Sequence, residues 1–286
     1  MGRFSRSWEL IKQSFAILRS DKQLMLLPLV SGISCLLVSG LMLLGGGASF
    51  LAVVYYMNLE SLPRLNPLLI WTAVFVLYLA NYFIIVFFNV ALISAASERL
   101  AGRPATLRGG VAKAWERKGK ILQWAVLAAT VGVILRMIEK RLGIIGRLVT
   151  KLIGVAWTLA SYFVAPILVF ENLGPVDALK RSARIFRETW GEELVSQFSM
   201  GAIFMLLGLA GFGVWFAMML AGGAMGLYIG TALLFLYMIT LGVTNVAMQG
   251  VFTAALYRFA TTKTIPPGFA PENFSMAWGP KDKNLR

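Results

Sequence analysis

Arg136, Lys140, Arg147 and Lys151 fall within about 60° of one another on a helical wheel, and chemistry open to such a stripe is capture of an anion. Ile134, Ile138, Leu142, Ile145, Leu148, Val149 and Leu152 fall opposite, with Arg141 on the edge of the apolar face. Gly143 and Gly146 weaken the helix. Three readings stay open. The stretch is an interfacial helix whose cations meet lipid phosphates, or it faces a cavity that accepts an anion or an anionic headgroup, or it is re-entrant or cytoplasmic. A second cationic set, Lys180, Arg184 and Arg187, clusters on one face of the segment 175–191, and Val176, Leu179, Ala183, Phe186 and Trp190 make another, apolar face.

Little else in the sequence can do covalent or proton chemistry. There is no histidine, so His-based acid–base catalysis and Ser-His-Asp triads are excluded, and zinc sites nearly so. The lone cysteine, Cys35, sits in an apolar run and cannot pair within the chain. Glu188, Glu192 and Glu193 form the one acidic cluster and resemble a solvated helix end. No catalytic residue, metal site or cofactor is expected, and the chain reads as a non-enzyme.

The elements that must carry these cations are apolar. Of 286 residues, 58% are hydrophobic and 14% charged, against about 25% charged in a soluble domain. With a mean hydropathy of +0.74, the chain reads as all-α and polytopic in a membrane. Spans are expected at Leu24–Leu44, Leu68–Ile93, Ile121–Ile138, Leu152–Phe170, Phe198–Leu220 and Leu227–Leu256. No cleavable leader is read at the start. With six spans, the N-terminal arm, segment 97–120, segment 172–197 and the C-terminal segment share one side, and they hold 21 of the 27 Lys and Arg residues. The positive-inside rule then places both termini in the cytoplasm. Arg64 and the five cations between 136 and 151 fall on the other side.

An amphipathic segment precedes each expected hairpin: "FSRSWELIKQSFAILRSDKQ", "RGGVAKAWERKGKIL" and "GPVDALKRSARIFRETWGEEL". We therefore expect one transmembrane domain over 1–260, made of three helix-plus-hairpin units at about 1–95, 103–171 and 175–258. A Pro-containing cytoplasmic tail follows over 261–286. Gly222, Gly226 and Gly230 form a small-residue ridge suited to close helix packing, within the chain or between chains. Asn81, Asn89, Asn245 and Gln249 are the polar groups inside spans. They read as interhelical hydrogen-bonding sites rather than a transport site. Pro166 should kink the fourth span. No charge falls at the middle of a span, which argues against ion-coupled pumping.

The stretch "YFVAPILVFENLGPVDALKRSARIFRETWGEELV", residues 162–195, resembles the membrane domain attached to some glycerophosphodiester phosphodiesterases and related uncharacterised six-span bacterial proteins. The opening "SWELIKQSFAILRSDKQLMLLPLVSG" and the tail "IPPGFAPENFSMAWGPK" are similar to one bacterial family of unknown function, and the likeness covers nearly the whole chain. The resemblance implies a multi-pass protein of a bacterial inner membrane. It brings no catalytic residue, because the phosphodiesterase activity of the two-part proteins resides in a separate barrel domain. The expected function is a lipid-interacting or scaffold role. The alternative is a transporter or channel for an anionic solute or lipid, with 136–151 facing the pathway. Partners are then membrane phospholipids and a second copy or another membrane protein, not nucleic acid.

Overall fold

A computed structural model describes residues 3–56, 67–189 and 195–269. The Arg64 loop, Trp190, Glu192, Glu193 and the tail beyond residue 269 lie outside the described residues, as do the side chains of Lys140 and Glu188. Among the described residues the chain is helical, without strands. The elements are α1 (Arg3–Ser20), a short 3-10 turn (Lys22–Met25), α2 (Leu26–Tyr56), α3 (Pro67–Leu100), α4 (Leu107–Glu116), α5 (Lys118–Ala160), α6 (Val164–Phe170), α7 (Pro175–Thr189) and α8 (Val195–Thr262).

Five segments of the described residues are long and apolar enough to cross a membrane: Lys22–Gly45, Trp71–Leu100, Lys118–Glu139, Gly146–Phe170 and Gly201–Thr262. The last doubles back. Gly223 breaks α8 with φ 53 and ψ −134, and Trp215 Nε1 before it donates to Thr231 Oγ1 beyond it at 3.1 Å. Tyr237 likewise donates its hydroxyl to the Leu207 carbonyl at 2.8 Å. Both pairs straddle the break, so α8 is an antiparallel hairpin that turns where the sequence has adjacent glycines.

A second reversal hides in α5. Its helical assignment runs from Lys118 to Ala160, yet Trp124 and Trp157 stack with ring centroids 5.6 Å apart and planes 2° from parallel. Along a straight helix they would stand about 50 Å apart. Arg117 near the start also donates to the side chain of Asn172 beyond α6. The chain therefore turns back between Trp124 and Trp157, and the basic stretch 136–151 occupies the region of the turn. The surface helix expected there is not a separate element: helical structure continues through it. Likewise α2 continues through Gly45, Gly46 and Gly47, past the expected end at Leu44.

The Pro166 disruption is a full break. Proline has no N–H to give the carbonyl of Tyr162, and its ring crowds that carbonyl. The chain leaves α5 at Ala160 and restarts as α6 at Val164. The Phe163 N–H, exposed by the gap, donates to Ser182 Oγ of α7 at 2.9 Å.

The core sits where three chain segments converge: the C-terminal half of α3, α6 and the C-terminal part of α8. Val90, Ala91, Leu92, Ile93, Ile167, Leu168, Val251 and Ala255 are all buried to 1% exposure or less. These segments run parallel: Leu92 lies at Gly250, Arg258 Nη1 donates to the Leu100 carbonyl at 2.8 Å, and the Tyr162 and Thr253 hydroxyls bond at 3.0 Å. The amphipathic helices pack around this core: α4 lies on α3, α7 on α5 and α6, and α1 on α8. Away from it, the α8 hairpin exposes large apolar side chains on all sides, including Leu206, Phe212, Leu220, Tyr228 and Phe235.

Candidate functional site

The amphipathic helices owe their placement to small residues. Ala178 and Ser182, one turn apart on α7, are fully buried, as are Ser14 on α1 and Ala114 on α4. A Cβ at Gly110 of α4 would come within 2.5 Å of the Ala91 carbonyl oxygen, so only glycine permits that approach. Ala178 and Ser182 are the alanine and serine of "ALKRS". Their burial turns Lys180 of that motif outward, together with Arg184 and Arg187 beyond it. Lys180, Arg184 and Arg187 are exposed, and with Ala183 they line an open concavity of about 440 Å³. Asp177 lies 4.0 Å from Lys180 in a pair that is mostly exposed.

Arg181, in the middle of the same motif, points the other way. Its Nε donates to both oxygens of Glu171 at 3.0 and 3.2 Å, and Glu171 also accepts from the Tyr257 hydroxyl at 2.9 Å. Glu98 is held by Arg103 at the corresponding end of α3, and its hydrogen bond, then its charge, raise the Arg103 guanidinium above its ordinary range. The carboxylates near the ends of α3 and α6 are thus structural ion-pair partners.

Sequence reasoning missed one polar junction. Asn172 has a positive φ of 54, a conformation that asparagine tolerates better than most residues. Its side-chain oxygen accepts from Arg117 and its carbonyl from Lys120, tying the start of α5 to the end of α6. The signal was an asparagine two residues before Gly174-Pro175.

The other cations and polar groups are dispersed. Arg136, Arg141, Arg147 and Lys151 are exposed around the α5 reversal, far along the chain from α7. Asn81 bonds Ser39 of α2 through its amide at 3.1 Å and takes part in a contact with Cys35 through its backbone carbonyl. Asn245 accepts from Gln249 on its own helix at 3.0 Å, and both sit on the flank of α8. Asn89 is exposed on α3. Gly226 lies against the Met218 backbone and Gly230 against Trp215 and Met218, both across the α8 hairpin, while Gly222 has open space around it.

A groove between α1 and α8, of about 390 Å³, has Lys12 and Phe15 on one wall and Phe204, Leu207 and Met248 among its apolar lining. Among the described residues no group of three or more Cys, Asp or Glu is placed to hold a metal ion.

A family model described as "Family of unknown function (DUF6159)" matches residues 68–266, from the start of α3 to just past the end of α8. No curated protein and no solved structure matches the chain.

Proposed function

We propose a function on the premise that the chain belongs to this family of unknown function, membership of which brings no activity with it: a non-enzymatic, six-span protein of a bacterial inner membrane, with both termini cytoplasmic, that binds anionic phospholipid headgroups through its surface helices. The observation that carries the reading is the division of α7. Ala178, Ser182 and Ile185 are sunk into the core, and Lys180, Arg184 and Arg187 are left together on an open concavity. Fixed, clustered cations at the end of an apolar bundle match the phosphates of an anionic leaflet.

The six-span count is supported by the two hairpins, which make paired crossings of α5–α6 and α8 to add to α2 and α3. The orientation rests on the distribution of Lys and Arg. The resemblance to phosphodiesterase-linked membrane domains adds an architecture and no chemistry. An anion pathway through 136–151 is the weaker alternative, because those cations sit at a hairpin tip.

The test is native mass spectrometry of the full-length protein released from nanodiscs of mixed phosphatidylglycerol and phosphatidylcholine. Retained phosphatidylglycerol should exceed phosphatidylcholine, and the triple variant Lys180→Glu, Arg184→Glu, Arg187→Glu should lower that preference at least about tenfold, each cation contributing roughly 1 kcal/mol. Equal retention of the two lipids by the unaltered protein would refute the reading.

A further inference from the structure

We infer that a second copy of this chain packs on the α8 stripe Phe235, Ile239, Gly242, Val246 and Gln249, with the Gln249 side-chain amides of the two copies hydrogen-bonded to each other. The inference rests on the membrane placement in the reading above, and not on the lipid contacts of α7.

The amide is the feature that calls for a partner. Arg258, tied to the Leu100 carbonyl, marks the polar end of α8, and Gln249 lies about 13 Å before it at 1.5 Å per residue. Half of a hydrocarbon core of roughly 30 Å is about 15 Å, so Gln249 sits near the middle. Its side chain is exposed there. The amide donates to Asn245 Oδ1 at 3.0 Å, and no other partner meets it among the described residues. That leaves its own oxygen and second N–H open, along with both N–H groups of Asn245. Lipid tails supply neither donor nor acceptor, so each open group costs free energy until another protein group takes it. Asn89 on α3 repeats the pattern. It is exposed, it has no hydrogen-bond partner among the described residues, and Leu92 one turn on lies against Gly250 of α8. That contact puts Asn89 and Gln249 within about 3 Å of one level along the parallel helices.

Symmetry names the partner. A twofold axis along the membrane normal keeps every residue at its own depth, so a second copy presents amides at the level where the first needs them. An amide both donates and accepts, so two Gln249 side chains satisfy each other. The surrounding stripe admits the approach. Phe235, Ile239, Gly242, Val246 and Gln249 recur at steps of four and three, the seam of a left-handed helix pair, and all are exposed. A Cβ at Gly242 would meet nothing within 4 Å, so the middle of the seam is open. Spacing alone does not decide the matter. Leu206, Leu209, Gly213, Phe216 and Leu220, on the other limb of the hairpin, repeat the steps and are exposed as well. They carry no polar side chain, and lipid tails cover them at no cost. Gln249 is what separates the two stripes.

The experiment uses the full-length protein with one fluorophore per copy, reconstituted into liposomes at falling protein-to-lipid ratio, and counts photobleaching steps per particle. Two-step particles should dominate at high ratio and give way to one-step particles on dilution. Gln249→Leu should weaken the association about tenfold, and Gln249→Asn, which keeps an amide, should recover part of the loss. Because Gln249 is exposed, neither change should lower the melting temperature. In membranes, on a Cys35→Ala background, Val246→Cys should give a disulfide-linked dimer and Leu209→Cys should not. One-step particles at every ratio, unchanged association in Gln249→Leu, or equal crosslinking at the two positions would each overturn the proposal. A different co-purified polypeptide seated on the stripe would overturn it as well. Carbonate extraction of the same membranes keeps the two readings apart. Protein released by it would sink the membrane reading and the dimer together, whereas embedded monomers would sink the dimer alone.

Discussion

Ser182 shows how one hydroxyl can join an amphipathic helix to a broken one. Pro166 forces the gap between α5 and α6, and the Phe163 N–H left in the gap is taken up by Ser182 Oγ from α7. Both groups are buried, so removing the hydroxyl leaves a donor without a partner. Ser182→Ala should destabilise the protein by about 1–3 kcal/mol, read as a lowered melting temperature in detergent. Ser182→Thr, which keeps the hydroxyl, should recover part of the loss. Gly110 is the counterpart on α4, where space and not bonding is decisive. A methyl there would press on the Ala91 carbonyl, which belongs to the α3 backbone and cannot give way cheaply. Gly110→Ala should therefore cost about 1–3 kcal/mol, as overpacking typically does, and gain nothing from alanine's better helix propensity.

At the scale of elements, hydropathy made the apolar segments legible, because a span must be long and uniformly apolar. The gap between the spans expected to end at Leu220 and begin at Leu227 marked the α8 turn. The periodicity of α7 pointed to Val176, Leu179, Ala183, Phe186 and Trp190, whereas the structure buries Ala178, Ser182 and Ile185 and leaves Val176 exposed. Three further features were not legible. The groove beside Lys12 depends on where α1 lands on α8, a contact between the two ends of the chain that no local pattern encodes. The Asn172 junction joins residues 55 apart through a single backbone conformation. The helical continuity around the α5 reversal runs against the propensity of Gly143 and Gly146. Gly223 tests the hairpin directly. Its φ of 53 with ψ −134 is closed to residues with a Cβ, so Gly223→Ala should loosen the turn. Cysteines placed at Trp215 and Thr231, which bond across the hairpin, should then crosslink more slowly in membranes than in the parent.

At the scale of the whole molecule, the ties made by charged side chains gather at one end among the described residues. Glu171 with Arg181 and Tyr257, Glu98 with Arg103, Arg258 with the Leu100 carbonyl, and Asn172 with Arg117 and Lys120 all lie where α3, α6 and α8 finish. The long apolar segments lead away from that end, and α5 carries Arg136, Arg147 and Lys151 to its reversal, exposed and remote from the tied end. A pathway for anions would need cations along its length, or at least at both mouths of a continuous cavity. The grooves between helices here are lined mainly by hydrocarbon. Charge reversal at Arg136, Lys140, Arg147 and Lys151 should accordingly leave anion flux into proteoliposomes at the level of protein-free vesicles, as in the parent. It should instead disturb topology, because those cations flank an apolar hairpin and Lys and Arg near span ends bias orientation. Reporter fusions at the two termini should stay on the same side of the membrane in the parent. A saturable anion flux in the parent that the reversal abolishes would transfer the function from lipid contact to transport.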